Sequence, residues 1–386
     1  MTRCVEGNRN VTQLHFRADV RQFLIMRLFQ NSGINPSYLP ALRRKTHGAS
    51  TFKAQIESFL MDRYGAVHYL EPVLNREKNA FVTNGDDELL QRTWAREQGM
   101  SPKASLEDIL LAQIEAHRTE VFYNLDPMRY GSHFVRKLPG CVRRKIAWRA
   151  APSPGADFSA YDLVVCNFPG MLKSYEQHGW KSAYFTPGHD PVMDEYAGNN
   201  DRPIDVLFVG GYSRHHSGRA MVLEAVAKLR SRYRIEFHLN RSRFTRLAES
   251  IPGRFAPLGK YRRPKEIRAV SREPVFGRDL YALISKSKIV LNGSIDMAGE
   301  ERGNMRCFEA MGCRALMVSD VGKYPTGMQS DLTIKTYNDA EEAAAMIKTS
   351  LDDYERSCQI AAQGYNMVRT AYSKSIQWIE FQKLVN

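Results

Sequence analysis

Cysteine is scarce in this chain. Its six cysteines, Cys4, Cys141, Cys166, Cys307, Cys313 and Cys358, include no pair at C-x-x-C spacing, which excludes a disulfide scaffold, a zinc ribbon and a dithiol redox site. The histidines show neither H-x-x-x-H nor H-E-x-x-H spacing, so no metal site is predicted. No apolar run approaches the roughly 20 residues of a bilayer span. The polar start, Met1 to Arg9, is no secretory signal. A reducing cytoplasm is the expected compartment, with any membrane contact peripheral. No G-x-G-x-x-G follows a predicted strand, which disfavours a nicotinamide or flavin enzyme. Helix-turn-helix, finger and RNP signatures are also lacking, so no specific nucleic-acid partner is expected.

What is present is ordinary for a folded chain. Hydrophobic residues make up 43% and charged residues 25% of 386, enough apolar surface for a core. At roughly 100–200 residues per domain, the length predicts two. The net charge of +13 favours a polyanionic partner: nucleic acid, an anionic membrane surface or a phosphorylated small molecule.

Hydrophobic periodicity gives the architecture. Gln22–Met26 reads as an early strand or short helix. Phe52, Ile56, Phe59 and Leu60 share one helical face. Leu106 to Ile114 repeats at helical spacing behind Ser105 and Asp108, a capping box with Asp for Glu. From residue 118, strands and helices alternate: strands at 120–125, 145–150, 161–167 and 182–186, helices over 128–137 and 171–178. The polar stretch Ala197–Pro203 suits a linker. Alternation resumes with a strand at 204–211, a helix over 217–232, strands at 234–239, 288–292 and 315–319, and closing helices from about 339. Two βα-alternating halves predict an α/β protein of two Rossmann-like parallel-sheet domains facing each other across a cleft. The expected divisions are 1–195, 203–365, and a C-terminal helix over 366–386 crossing back to the first domain.

Residues 241–278 carry eleven basic and three acidic side chains, a net +8. This segment reads either as a solvated surface loop or as an anion-binding wall on the cleft. Nucleic-acid binding fits it less well, because few aromatics are interleaved with its cations.

The densest constellation runs from Asn292 to Asp320. A strand feeds a glycine-containing loop, then a short helix from about Asn304, then Gly312 and another strand. A helix amino end at the carboxyl edge of a sheet is an anion site. Arg306 in its first turn adds a cation for a diphosphate. Glu309, three residues on, can accept from both hydroxyls of a ribose. A local Arg306–Glu309 ion pair is the plainer reading. Glu301 precedes Glu309 by eight positions.

The phrases Ile204–Tyr212, His215–Arg219, Lys288–Asn292, Asn304–Cys313 and Tyr337–Glu342 resemble the donor domain of GT-B glycosyltransferases, most closely the CgeB-like (spore-maturation) group. The likeness runs from about residue 115 to the C-terminus. It implies a transferase that takes a sugar from a nucleotide-diphosphate donor, UDP- or GDP-linked, and passes it to a glycan, lipid-linked or protein acceptor. The C-terminal domain would hold the donor and the N-terminal domain the acceptor. It implies Glu309 at the ribose and Glu301, with Glu300 adjacent, at the donor sugar. It also implies no metal and no cofactor beyond the donor, which fits the lack of an Asp-x-Asp motif.

Other donor-side candidates are Gly210 and Gly211 at a strand end, where they allow close backbone approach. His216 and Arg219 stand at the next helix entrance, with His215 beside them. Asn292 ends a strand, where it binds donor or fixes the loop, and Asn304 opens the helix. An inverting enzyme needs a base at the acceptor hydroxyl. Asp126 and Asp190 are the candidates, followed by His133 and His189, and ordinary loop capping is the plain alternative for each. Peripheral contact with an anionic inner membrane face is also expected from the charge. Two rivals are a non-catalytic nucleotide- or glycan-binding protein on the same fold and a nucleic-acid-binding protein using segment 241–278.

Overall fold

The computed structural model describes residues 26–254, 258–293 and 299–386. Cys4, most of the run Gln22–Met26 and residues 294–298 lie outside the described residues.

Two six-stranded parallel sheets form the framework. The first contains β1 (Leu28–Ser32), β2 (Ala80–Asn84), β3 (Val121–Asn124), β4 (Arg144–Trp148), β5 (Leu163–Cys166) and β6 (Ser182–Tyr184). Their order across the sheet is β2-β1-β3-β4-β5-β6. The second contains β7 (Ile204–Gly211), β8 (Ile235–Asn240), β9 (Ser271–Arg272), β10 (Ser287–Leu291), β11 (Leu316–Asp320) and β12 (Lys335–Tyr337), in the order β12-β11-β10-β7-β8-β9. Every pairing is parallel; Leu28 aligns with Ala80 on one side and Val121 on the other. Parallel strands need crossovers, and the helices that supply them cover the sheet faces, so strand interiors read as apolar runs. The expected α/β architecture of two Rossmann-like domains is what the chain adopts.

Strand order reverses once in each sheet. In the first it reverses between β1 and β3, and in the second between β7 and β10. Crossovers leave such a point in opposite directions, which opens a crevice beyond the carboxyl ends of the two strands. Gly33 and Asp126 lie just past one reversal; Gly210, Gly211 and Asn292 lie at the other.

Several elements differ from the sequence-based expectation. The helix expected over 128–137 is only Ser132–Val135. The amides of Arg129 and Tyr130 donate back to the Asp126 carbonyl in a turn, and the helix begins only after Gly131. The helix from Ser217 ends at Ala227 and tightens into a 3-10 turn, Lys228–Ser231. The Ser105–Asp108 capping box is present, each residue bonding the other's backbone amide at 3.0–3.1 Å.

The last two helices tie the sheets together. Tyr354–Ala371 packs on the second sheet, burying Ile360, Ala361 and Val368. After Tyr372 the chain turns, and Ser373 caps Lys374–Val385 by accepting from the Ile376 amide. This final helix lies on the first sheet. Phe381 is fully buried there, its ring 4.9 Å from Tyr123 and 5.7 Å from Phe185. The entry of the helix is fixed by Lys374, only 3% exposed. Its ammonium donates to the carbonyls of Val67 (2.9 Å) and Tyr69 (2.8 Å) and to Gln377 Oε1 (2.9 Å). Three acceptors match the three donors of an ammonium.

Replacing Lys374 by Met retains the stem and removes all three donors. The Val67 carbonyl keeps the Gly188 amide and Gln377 Nε2 as donors, but the Tyr69 carbonyl and Gln377 Oε1 are left unpaired, which costs about 1–3 kcal/mol each. Lys374→Met should therefore lower unfolding stability by on the order of 3 kcal/mol in urea titration. A loss below about 0.5 kcal/mol would show that these bonds do not hold the crossing.

Candidate functional site

At the reversal in the second sheet, β7 ends in two glycines. A Cβ on Gly211 would meet nothing within 4 Å, whereas one on Gly210 would sit 3.1 Å from the Phe208 ring. Gly211 thus leaves open space at the strand end. His216 stands at the amino-cap position of the helix Ser217–Ala227. One turn in, Arg219 Nη2 donates to the Gly293 carbonyl at 2.7 Å. Asn292, 6% exposed, donates to Ser319 Oγ (3.2 Å) and accepts from Asn304 Nδ2 (3.1 Å). Tyr337 OH donates to the Asn292 carbonyl at 2.8 Å. Of the two roles open to Asn292, the structure shows the loop-fixing one. The network seats Arg219, Asn292 and Asn304 together on one sheet edge.

Asn304 also starts the next helix, Met305–Gly312. Its Oδ1 accepts from the Arg306 amide at 3.1 Å, an amino cap of the usual kind. Cys307, Phe308, Ala310 and Met311 are fully buried, which fixes the rotation of the helix. Arg306 and Glu309 then fall on the face turned toward the first domain. Arg306 Nη1 donates to Glu309 Oε2 at 2.5 Å, and Glu309 is 3% exposed. Burial pushes the Glu309 carboxyl above its ordinary range; Arg306 opposes this and nearby Asp190 adds to it. Arg306 Nε is buried without a hydrogen-bond partner. The ion pair is therefore formed, desolvated and incompletely satisfied. In this conformation Arg306 occupies Glu309 Oε2.

Glu301 departs from its expected place. Its Oε1 accepts from the Gly170 amide of the first domain at 2.5 Å. Gly170 lies in the first turn of the helix Pro169–Gln177, where free amides attract a carboxylate. A Cβ at Gly170 would stand 3.2 Å from Glu301 Oε2. Beside this contact, Asn167 Nδ2 donates to the Gly303 carbonyl at 2.6 Å. Glu301 thus joins the two domains instead of facing the strand reversal. Glu300 forms an exposed pair with Lys323.

On the first domain, a cavity of about 370 Å³ is lined by Gly33, Tyr64, His68, Asp126, Trp148 and Arg149, among others, and by Met305 of the second. Asp126 borders it, with Arg129 Nε 3.3 Å away. Asp86, past the end of β2, accepts from the Ile34 amide at 3.0 and 3.1 Å. Burial raises its carboxyl, the Ile34 amide opposes this, and Asp126 raises it further. Asp86 was not singled out from sequence, although Asn84-Gly85 ending an apolar run marks a strand end there.

Asp190 is a correction. It is fully buried, accepts from the Val192 amide and Tyr281 OH at 3.3 Å each, and faces Arg63 at 3.8 Å. A base must reach an acceptor hydroxyl, and this carboxylate instead caps the turn Pro191–Met193. His189 is 2% exposed and bonded to Asp194 at 2.9 Å. His133 lies on the short helix Ser132–Val135 and His215 in the loop after β7, both exposed.

The basic segment is not a continuous anion wall. Arg263, 5% exposed, grips Glu249 with two bonds of 2.7 Å. Arg262 donates to the carbonyls of Ala248 and Gly253. Arg241 pairs with Glu273, and Arg278 with Glu195 and the Met61 carbonyl. Arg241, Arg262 and Arg263 thus hold the segment itself together, and Arg278 ties it to neighbouring elements.

A family model described as glycosyl transferase-like matches residues 214–380, which is most of the second domain and the final helices. No curated protein matches the chain. Among solved structures, Anabaena HepE in complex with UDP and glucose is similar over 93% of this chain and 99% of its own, at TM-score 0.55 and 15% identity. An alpha-glucosyltransferase in complex with UDP-glucose and DNA is similar over 93% and 98%, at 0.56 and 12%. A glycosyltransferase from Rickettsia africae is similar over 93% and 97%, at 0.50 and 11%. Identities this low carry the fold, and that fold is GT-B.

The cavity wall makes one pH-dependent prediction. Burial, with the Lys374 charge adding to it, pushes the His68 imidazole down to about 3. The unfolded ring takes its proton near 6.5, so below that pH the unfolded state binds more protons than the folded one. Stability should fall as pH drops from about 6.5 toward 3. His68→Gln should reduce the slope of the loss between pH 7 and pH 5 by up to one proton's worth, about 1.4 kcal/mol per pH unit. An unchanged slope in urea titrations of the variant would contradict the assignment.

Proposed function

We propose that this protein is a glycosyltransferase that moves a sugar from a nucleotide-diphosphate donor to a hydroxyl of a glycan, lipid-linked or protein acceptor. The observation that carries this reading is a single cavity lined by Asp126 beyond the strand reversal of the first sheet and by Met305, which opens the Arg306–Glu309 helix of the second. Reacting groups held by two domains can meet only in such a place. The similar structures solved with UDP or UDP-glucose put UDP ahead of GDP, ADP and CDP as the nucleotide.

In this reading the donor lies on the second domain along Gly210, Gly211, His216 and Arg219. Arg219, Arg306 and the amino end of the helix Met305–Gly312 meet the diphosphate charge without a metal. The ribose hydroxyls displace the Arg306 guanidinium from Glu309. The carboxylate then accepts from both hydroxyls, and Arg306 turns to the phosphates. The unpartnered Nε and the desolvated carboxyl supply the reason for the exchange, since the ligand completes bonds that the closed pair lacks. During transfer the bond from the anomeric carbon to the phosphate oxygen breaks. The acceptor oxygen bonds to that carbon, its proton passes to Asp126, and the nucleoside diphosphate leaves with the electron pair. Asp86 stands near Asp126, its own carboxyl raised by burial and by the Asp126 charge. The two sheets with their opposed carboxyl edges favour transfer over simple nucleotide binding.

Calorimetry with UDP, GDP, ADP and CDP tests the donor assignment. Binding should be tightest to UDP, and Glu309→Gln should weaken it about tenfold, or ~1.4 kcal/mol. The variant should also lose discrimination between UDP and its 2′,3′-dideoxy analogue. A folded protein that binds none of the four, or a variant that keeps both affinity and discrimination, contradicts the reading. Asp126→Asn should leave UDP affinity unchanged and lower transfer at least 100-fold. Full transfer by that variant removes Asp126 as the base.

A further inference from the structure

One surface patch takes no part in the cleft and is unlike the rest of the exterior. The helix Arg243–Glu249 is capped by Ser242, whose Oγ accepts from the Thr245 amide at 3.0 Å. It buries only Ala248. Its outer side carries Phe244, 56% exposed, and Leu247, 50% exposed; Ile251 follows at 75%. Three large apolar side chains within eight residues stand in water. Elsewhere among the described residues, exposed large hydrophobics occur singly or, in Ile376 and Ile379, as one pair. The Phe244 ring is held in place by stacking on Tyr261 at 5.1 Å.

Two cations sit among these groups. Arg243 and Arg246 are exposed and make no ion pair among the described residues. The one carboxylate of the helix, Glu249, is taken by Arg263. The patch is therefore apolar and cationic, without an available acid. Its position is fixed from behind: Arg262 holds the carbonyls of Ala248 and Gly253, and Arg214, in the loop after β7, donates to the Arg262 carbonyl at 3.2 Å. The helix leaves the carboxyl end of β8, adjacent to β7, on the same sheet edge as the cleft.

We infer that Arg243, Phe244, Arg246, Leu247 and Ile251 form a docking surface for an anionic lipid bilayer. Apolar tips beside arginines match the boundary where acyl chains meet acidic headgroups. Leu247 and Ile251 gain by leaving water there, and the guanidinium groups stay with the headgroup phosphates. A nucleic acid would satisfy the arginines but leave the two aliphatic side chains in water. The inference stands apart from the transferase reading and adds orientation: a bilayer at this surface lies beside the donor-side loop.

Flotation of the full chain with vesicles tests it. Vesicles of phosphatidylcholine alone are compared with vesicles containing about one third phosphatidylglycerol, at about 50 and 500 mM salt. The bound fraction on anionic vesicles at low salt should exceed that on neutral ones at least fivefold. F244S/L247S/I251S should lower it about fivefold or more. R243Q/R246Q should abolish the preference for the anionic lipid. Both variants should keep the melting temperature and UDP affinity of the parent. Equal binding to both vesicle types at low salt, or full binding by the apolar variant, overturns the inference. So does an oligonucleotide bound through Arg243 and Arg246 in a protein that ignores vesicles.

Discussion

A parallel strand can be followed by another only through a crossover, and where the crossovers change direction the sheet cannot close over its own carboxyl edge. That constraint acts twice in this chain. In the first sheet it leaves Gly33 and Asp126 at the rim of a crevice; in the second it leaves Gly210, Gly211 and the Asn292 network. Everything the molecule is proposed to do depends on these two rims being turned toward each other. The polar contacts that hold the turn include the buried Lys374 ammonium, the Glu301 carboxylate on an opposing helix amino end, the Asn167–Gly303 bond, Arg278 on the Met61 carbonyl and the Lys45–Asp279 pair.

These ties differ in character. Lys374 is enclosed by three acceptors and is part of the core of the crossing. Glu301 and Asn167 lie across the mouth of the domain interface, where each bond joins one side chain to one backbone group. Such contacts can open without unfolding either sheet, because each domain has its own hydrophobic core. The Arg306–Glu309 pair is a third kind of contact, internal to one helix and buried at its boundary with the first domain. A desolvated pair with an unpartnered donor gains little net stability, so a ligand able to complete its hydrogen bonding competes on favourable terms.

Much of the framework was legible in the sequence because apolar runs between turn residues report buried parallel strands directly. β1 was not. Its sequence, Leu-Phe-Gln-Asn-Ser, puts Gln30 and Asn31 at the centre of a sheet, and both are fully buried. They are tolerated because distant groups satisfy them: Asn31 bonds Asn124 at 2.9 Å and the Gly85 amide, while Gln30 bonds the His68 carbonyl and the Leu70 amide. No local pattern announces partners that far away. The same limit explains Glu301 and Asp190. Their spacing and strand-end positions were visible, but which way each carboxylate turns is decided by Gly170 and by Tyr281 and Val192. Arg306 and Glu309 were legible because three-residue spacing on a helix fixes their proximity. The burial of Glu309 was not, since it comes from the facing domain.

The central claim is that a nucleotide diphosphate binds where the helix Met305–Gly312 meets the open end of β7. Amide hydrogen exchange with and without UDP tests this directly. The account predicts added protection of the amides at 211–219 and 304–309, with none of comparable size in β2 or in the helix Arg243–Glu249. Protection confined to other segments, with 304–309 unchanged while UDP is bound, would contradict it.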